Sequence, residues 1–236
     1  MAIAPLNLPS PLAETVIGLA VFGSYGRGDF DAHSDLDLLV VVKDGSGTAS
    51  EQGIVEALKP ALPKEPSVSF YGEKKFRDLF EEGNLFAWHI FLEAKLIPGF
   101  LHPSDVFGRP NLYRTASADI DGLIEILNGV PRWIASNPQN AVFELGILYV
   151  CARNIAMSAS WHLKSRPNFG RYSPFGLPGP VRFPMSMERY EIAVRCRMAS
   201  ARGEEPPNVT PLVVEETSEM LGAWARSVSD FVRTVA

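Results

Sequence analysis

Cys151 and Cys196 are the only cysteines, too few for a disulfide framework. Long apolar runs are missing too. The longest uncharged one, Thr15 to Gly23, is far short of the roughly 20 residues that span a bilayer. No Lys or Arg precedes Glu14, so a secretory leader with a charged start is not expected. Nor is there an excess of positive charge: 22 Lys+Arg face 27 Asp+Glu, a net of −5. That balance argues against a broad nucleic-acid surface, because phosphate neutralisation draws on clustered Lys and Arg. A soluble, cytoplasmic protein is the expectation.

What is present is ordinary globular material. The 236 residues are 46% apolar and 21% charged, which excludes a disordered or fibrous chain. A chain of this length buries roughly 70% of its unfolded surface and needs no covalent staple. Charge is unevenly spread: residues 1–110 carry 9 Lys+Arg against 15 Asp+Glu, and residues 111–236 carry 13 against 12, 12 of the 13 being Arg. The apolar pattern changes at the same place, so a boundary is expected in the turn-rich PSDVFGRPNLYR, residues 103–114, giving domains 1–105 and 106–236.

The first part alternates strand-like runs (Thr15–Phe22, Asp35–Val42, Ser67–Tyr71) with helical ones (Thr48–Lys59, Glu73–Glu82, Leu85–Glu93). Its pattern predicts a small α/β unit with a mixed sheet. The second part reads as helices over 118–135, 139–165, 186–202 and 211–235. Pro131 is expected to bend or end the first of them, and Pro211 stands at a favoured first position. The fold class is therefore α+β, an α/β domain followed by a helical bundle.

Chemistry concentrates in Phe22–Val42, FGSYGRGDFDAHSDLDLLVVV. A strand ends at Phe22, and Gly23 lets another group approach the backbone closely. If a helix starts there, its free N–H groups and the Ser24 hydroxyl would suit a phosphate. Alternation puts Asp35 and Asp37 on one face of the next strand. Two carboxylates so close repel unless a cation neutralises them, and Mg²⁺ favours one or two carboxylates plus substrate phosphates. A Walker loop would need Gly-Lys-Ser/Thr, and the glycines at 23, 26 and 28 do not fit the dinucleotide fingerprint. Asp29, Asp31, Asp35 and Asp37 do not make a calcium loop, because the required Gly and terminal Glu are misplaced, and Asp29 and Asp31 read as solvated loop carboxylates.

These residues resemble the signature of the nucleotidyltransferase superfamily, whose fold is shared by DNA polymerase beta and the aminoglycoside nucleotidyltransferases. The matching positions are Phe22-Gly23-Ser24, ten residues, then Asp35-Leu36-Asp37-Leu38. GRGDFDAHS, with Arg27, is similar to the antibiotic-modifying and minimal branches, and a looser likeness extends to about residue 97. The resemblance implies a bacterial-type enzyme that uses Mg²⁺ and an NTP such as ATP. Gly23, Ser24 and Arg27 would hold phosphates, and Asp35 and Asp37 would act as catalytic metal ligands. Its acceptor would be a hydroxyl on an aminoglycoside-like small molecule or on a protein, with the helical bundle closing one side of the cleft. A homodimer is left open.

The superfamily's third carboxylate, on a neighbouring strand, is not matched. Its expected position falls at Ser67 or Ser69, with Glu65 on the same face. Serine cannot serve as a general base at neutral pH. Glu65 in a shifted register or Glu144 in the helical part could substitute. Otherwise the chain is a catalytically impaired, antitoxin-like module that binds nucleotide or a partner. His33 reads as a loop histidine and His89 as a packed one. The loop His162–Phe183, with Lys164, Arg166, Arg171, Arg182 and several aromatics, is either a connector or a receiver of phosphate and base. Arg153 and His162 resemble the ribonuclease pair of helical HEPN domains only faintly, since their spacing falls outside that motif.

Overall fold

The computed structural model describes residues 10–31, 34–45, 50–163 and 166–235. His33, Thr48 and Lys164 lie outside the described residues. The chain divides into two compact units, Met1–Tyr113 and Arg114–Ala236.

The first unit runs α1 (Ser10–Thr15), β1 (Val16–Phe22), α2 (Gly23–Arg27), β2 (Leu36–Val42), α3 (Glu51–Leu58), β3 (Pro66–Gly72), α4 (Glu73–Glu81), α5 (Leu85–Glu93), β4 (Lys95–Leu96) and α6 (Pro103–Phe107). The strands form one mixed sheet in the order β3-β2-β1-β4. β1 runs antiparallel to β2 and β4, and β2 runs parallel to β3. A parallel pair needs a crossover between its strands, and α3 supplies it. Ser50 caps α3 by accepting from the Gly53 N–H at 3.0 Å, and Asn84 caps α5 by accepting from Phe86 N–H at 2.8 Å. Both satisfy donors the first helical turn leaves free.

β2 is central and apolar on both sides, as a doubly covered strand requires. Leu36, Leu38 and Val40 pack with Ile54 and Leu58 on one face. Leu39 and Val41 pack with Phe22, Phe76, Phe80, Ala87 and Ile90 on the other. Strand alternation puts Asp37 on that second face, at its rim.

The second unit holds α7 (Ala116–Ser136), α8 (Ala141–Leu163), α9 (Met187–Arg202) and α10 (Pro211–Val235), with α8 packed on the other three. Apolar residues recur around the circumference of α8, and Leu145, Leu148, Cys151, Ile155 and Ala159 are all buried. The segment Pro138–Leu163 is long and apolar enough to cross a membrane, but 61% of its apolar window is covered by the fold, as expected of a core helix. Burial pushes the Cys151 thiol up to about 12 and Cys196 up to about 11, so neither is a ready nucleophile.

Pro131 does not end α7, which continues to Ser136. Proline removes the N–H that would bond the carbonyl four residues back, here that of Leu127. The Ser218 hydroxyl of α10 donates to that carbonyl at 3.0 Å. The phenylalanines around the 162–183 loop are packed, whereas Tyr172 is exposed, its hydroxyl donating to Glu191 at 2.6 Å. Phe169 and Phe183 are buried, Phe175 and Phe183 sit edge-on to Tyr190, and the Trp224 indole N–H donates to the Val181 carbonyl. The connector reading fits the buried rings. Arg153 donates to the Phe169 carbonyl at 3.0 Å, which makes it a loop anchor.

Candidate functional site

The site grows from the end of β1. Phe22 pairs with Asp37 across the antiparallel ladder, and the chain turns at once into α2. Gly23 has φ +65°, a backbone that side chains rarely adopt, and a Cβ there would overlap Asp37 Oδ2 and lie 3.2 Å from its Cγ. Only glycine meets both demands. The Asp37 carboxylate is thus seated against the backbone at the start of α2. Gly28, also at positive φ, closes α2 with its N–H on the Ser24 carbonyl at 2.8 Å.

Asp35 stands just before β2, two residues from Asp37, and both are half-buried. The turn that delivers Asp35 is organised by Ser34, which is 4% exposed. Its hydroxyl accepts from the Asp31 N–H and donates to Asp31 Oδ1, each at 2.9 Å. Lys64 Nζ donates to the Ser34 carbonyl. Asp31 is an exposed loop carboxylate, as expected, and also ties the turn through Ser34, a contact between side chains that periodicity does not encode.

The parallel ladder sets Ser67 beside Asp37 and Ser69 beside Leu39. Glu65 lies one step before the first pair, Leu36 with Pro66, level with Asp35 and exposed to solvent. No unbroken register brings Glu65 level with Asp37. Among the described residues, no three His, Cys, Asp or Glu side chains gather as a metal cage. Two same-face carboxylates beside a glycine cradle still fit a divalent ion that takes its remaining ligands from substrate phosphates and water.

Arg27 is engaged within the fold. Its Nη1 donates to Glu93 Oε2 at 2.6 Å and its Nε to Asp29 Oδ2 at 3.1 Å. Burial alone would lower the guanidinium pKa, but Asp29 and Glu93 outweigh it and raise the pKa. The same Glu93 oxygen meets His89 Nε2 at 2.8 Å, so the packed histidine belongs to an ion-pair network. The sequence offered one signal of this: an acidic residue, Glu93, ends an otherwise apolar helix.

Glu144 is 3% exposed on α8, its pKa is raised by burial, and its Oε2 has no hydrogen-bond partner among the described residues. A hollow of about 670 Å³ lined by Val16, Lys43, Glu73 and Phe100 lies in the first unit. It opens where β1 begins and β2 ends, the opposite end of both strands from Asp37.

No curated protein matches the chain. Residues 10–89, from α1 into α5, match the family model described as a nucleotidyltransferase domain, and the helical unit lies outside that match. β1, α2, β2 and β3 lie within the matched residues, and over them the chain is similar to the nucleotidyltransferase domain.

Proposed function

We propose that the protein is a cytoplasmic enzyme that transfers the nucleotidyl group of a Mg²⁺-bound NTP, in the first instance ATP, to a hydroxyl group and releases pyrophosphate. The observation that carries this is the Asp37 carboxylate seated against Gly23, with Asp35 two residues before it. Gly23 and Ser24 bind the β- and γ-phosphates. Asp35 and Asp37 hold the ion in place and orient the α-phosphate toward the acceptor. When bound, the ion supplies positive charge to the attacking and leaving oxygens of an in-line displacement. The acceptor oxygen forms a bond to the α-phosphorus as the bond to the bridging oxygen breaks, and pyrophosphate leaves. Ser67 cannot take the hydroxyl proton at neutral pH. The proton passes to exposed Glu65 or to solvent. The acidic balance of residues 1–110 favours a cationic acceptor, such as an aminoglycoside-like amino sugar, over an anionic one. A protein hydroxyl is the other acceptor class.

The serine beside Asp37 favours a second reading: a fold that binds nucleotide or a partner, antitoxin-like, without turnover. Calorimetric titration of the four NTPs with Mg²⁺ tests the first premise. Binding should need metal and vanish in the Asp35→Asn, Asp37→Asn double variant. Binding that survives in that variant would show that these are not the metal ligands. Pyrophosphate release across an acceptor screen then separates enzyme from binder. Ser67→Asp should raise release in an enzyme limited by its missing carboxylate and leave a pure binder silent.

A further inference from the structure

We propose that Glu93, backed by His89, is a positioning residue for the nucleotide site: it grips Arg27 and thereby holds α2, with its Gly23–Ser24 turn, against Asp37. This builds on the nucleotide-binding role proposed above for that turn.

One oxygen, Glu93 Oε2, meets both Arg27 Nη1 at 2.6 Å and His89 Nε2 at 2.8 Å. The Glu93 side chain is only 8% exposed, so solvent screens its charge little and the loss of one partner is felt strongly. Its place is also telling. Glu93 is the last residue of α5, where the helix dipole disfavours an anion. The helix gains nothing from a carboxylate there, and the contacts with Arg27 and His89 offset its cost.

The main chain of Glu93 meets α2 as well. A Cβ on Gly26 would come within 2.5 Å of the Glu93 carbonyl oxygen, so the α2 backbone abuts the end of α5. α2 is therefore pinned at both ends, at Gly23 by Asp37 and at Gly26–Arg27 by Glu93. His89 extends the network to the strand: its ring stands edge-on to Phe22 at 5.4 Å, and Phe22 is the ladder partner of Asp37. With Nη1 on Glu93 and Nε on Asp29, Arg27 is a strut beneath the phosphate turn rather than a phosphate ligand.

The two roles for Arg27 differ in sign. A strut makes Glu93→Gln and Arg27→Met alike: each weakens calorimetric binding of Mg²⁺–ATP and of Mg²⁺–tripolyphosphate by about tenfold, and the double variant is little worse than either. A phosphate ligand released by Glu93→Gln would instead bind as well as or better than the wild type, while Arg27→Met alone weakened it. That outcome overturns the proposal.

Hydrogen exchange in the full-length, nucleotide-free protein gives an independent readout. The Gly28 and Asp29 amides both donate to the Ser24 carbonyl, at 2.8 and 3.1 Å. Glu93→Gln should speed their exchange while the buried Leu38–Val41 amides of β2, in the same unit, stay unchanged, which also shows that the variant folds. Unchanged exchange at Gly28 and Asp29 overturns the clamp. A wild type that binds no NTP sinks the nucleotide reading instead, and the exchange result still decides whether Glu93 holds α2.

Discussion

Gly23→Ala is the sharpest perturbation of the site, because one methyl group tests backbone and carboxylate together. Alanine at φ +65° costs roughly 1–2 kcal/mol in the left-handed region. For a unit of this size that lowers the melting temperature by roughly 4–8 °C. The same methyl would overlap Asp37 Oδ2, and the carboxylate, at the rim of the sheet, gives way more easily than the strand. Displacing a metal-holding carboxylate should weaken Mg²⁺–NTP binding by at least tenfold, about 1.4 kcal/mol. Gly18→Ala is the control. Its Cβ would rest 3.5 Å from Val41 Cβ, an ordinary contact, and should leave binding unchanged. Calorimetry and differential scanning on the three proteins decide the matter. A Gly23→Ala protein that melts low but binds Mg²⁺–NTP like the wild type would refute the assignment of Asp37 as a metal ligand. One unaltered in both would refute the geometry of the turn.

Two further predictions concern the helical unit. Ser218→Ala strips the Leu127 carbonyl of its donor at a site where Ser218 is 4% exposed, and should destabilise by about 1–3 kcal/mol in urea unfolding. In a Pro131→Ala background the restored N–H serves that carbonyl, so the cost of Ser218→Ala should fall below about 0.5 kcal/mol. An undiminished cost would show that the proline is not the reason for the contact. Glu144 has its pKa raised above the ordinary 4.5 by burial, so the folded state holds its proton to higher pH than the unfolded chain. Stability should therefore fall as pH rises from about 4.5 through the raised value and then level off, with the penalty fully present above it. Glu144→Gln should remove that fall, and a wild-type profile unchanged by the substitution would contradict it.

The sequence showed the layers of the fold more clearly than its irregular parts, for physical reasons. Leu36–Val42 is legible as a strand because it is buried on both faces, and Leu85–Glu93 and Pro211–Val235 are legible as helices from their apolar spacing and termini. β4 is only two residues, both exposed, too short to show any period, and α1 and α6 span only six and five residues. The passage of α7 through Pro131 depends on a hydroxyl 91 residues from the carbonyl it serves. No local rule could supply it.

At the site the division is between local and distant partners. Gly23, Asp35 and Asp37 lie within one turn and two strands, so their types and spacing alone bring them to attention. Arg27 is as visible in the sequence, but its partner Glu93 is 66 residues away, and no local spacing reveals that pairing. The serine of β3 has the opposite character. Alternation already puts it on the face of Asp37, and the ladder sets Ser67 directly beside that residue, leaving no slipped register to bring Glu65 there. A strand that kept its pairing while carrying serine at this place still leaves two carboxylates to hold a metal ion. What it lacks is a side chain that can take a proton at neutral pH. Under the proposed transfer the acceptor's proton therefore goes to exposed Glu65, level with Asp35, or to solvent, and not to the residue beside Asp37.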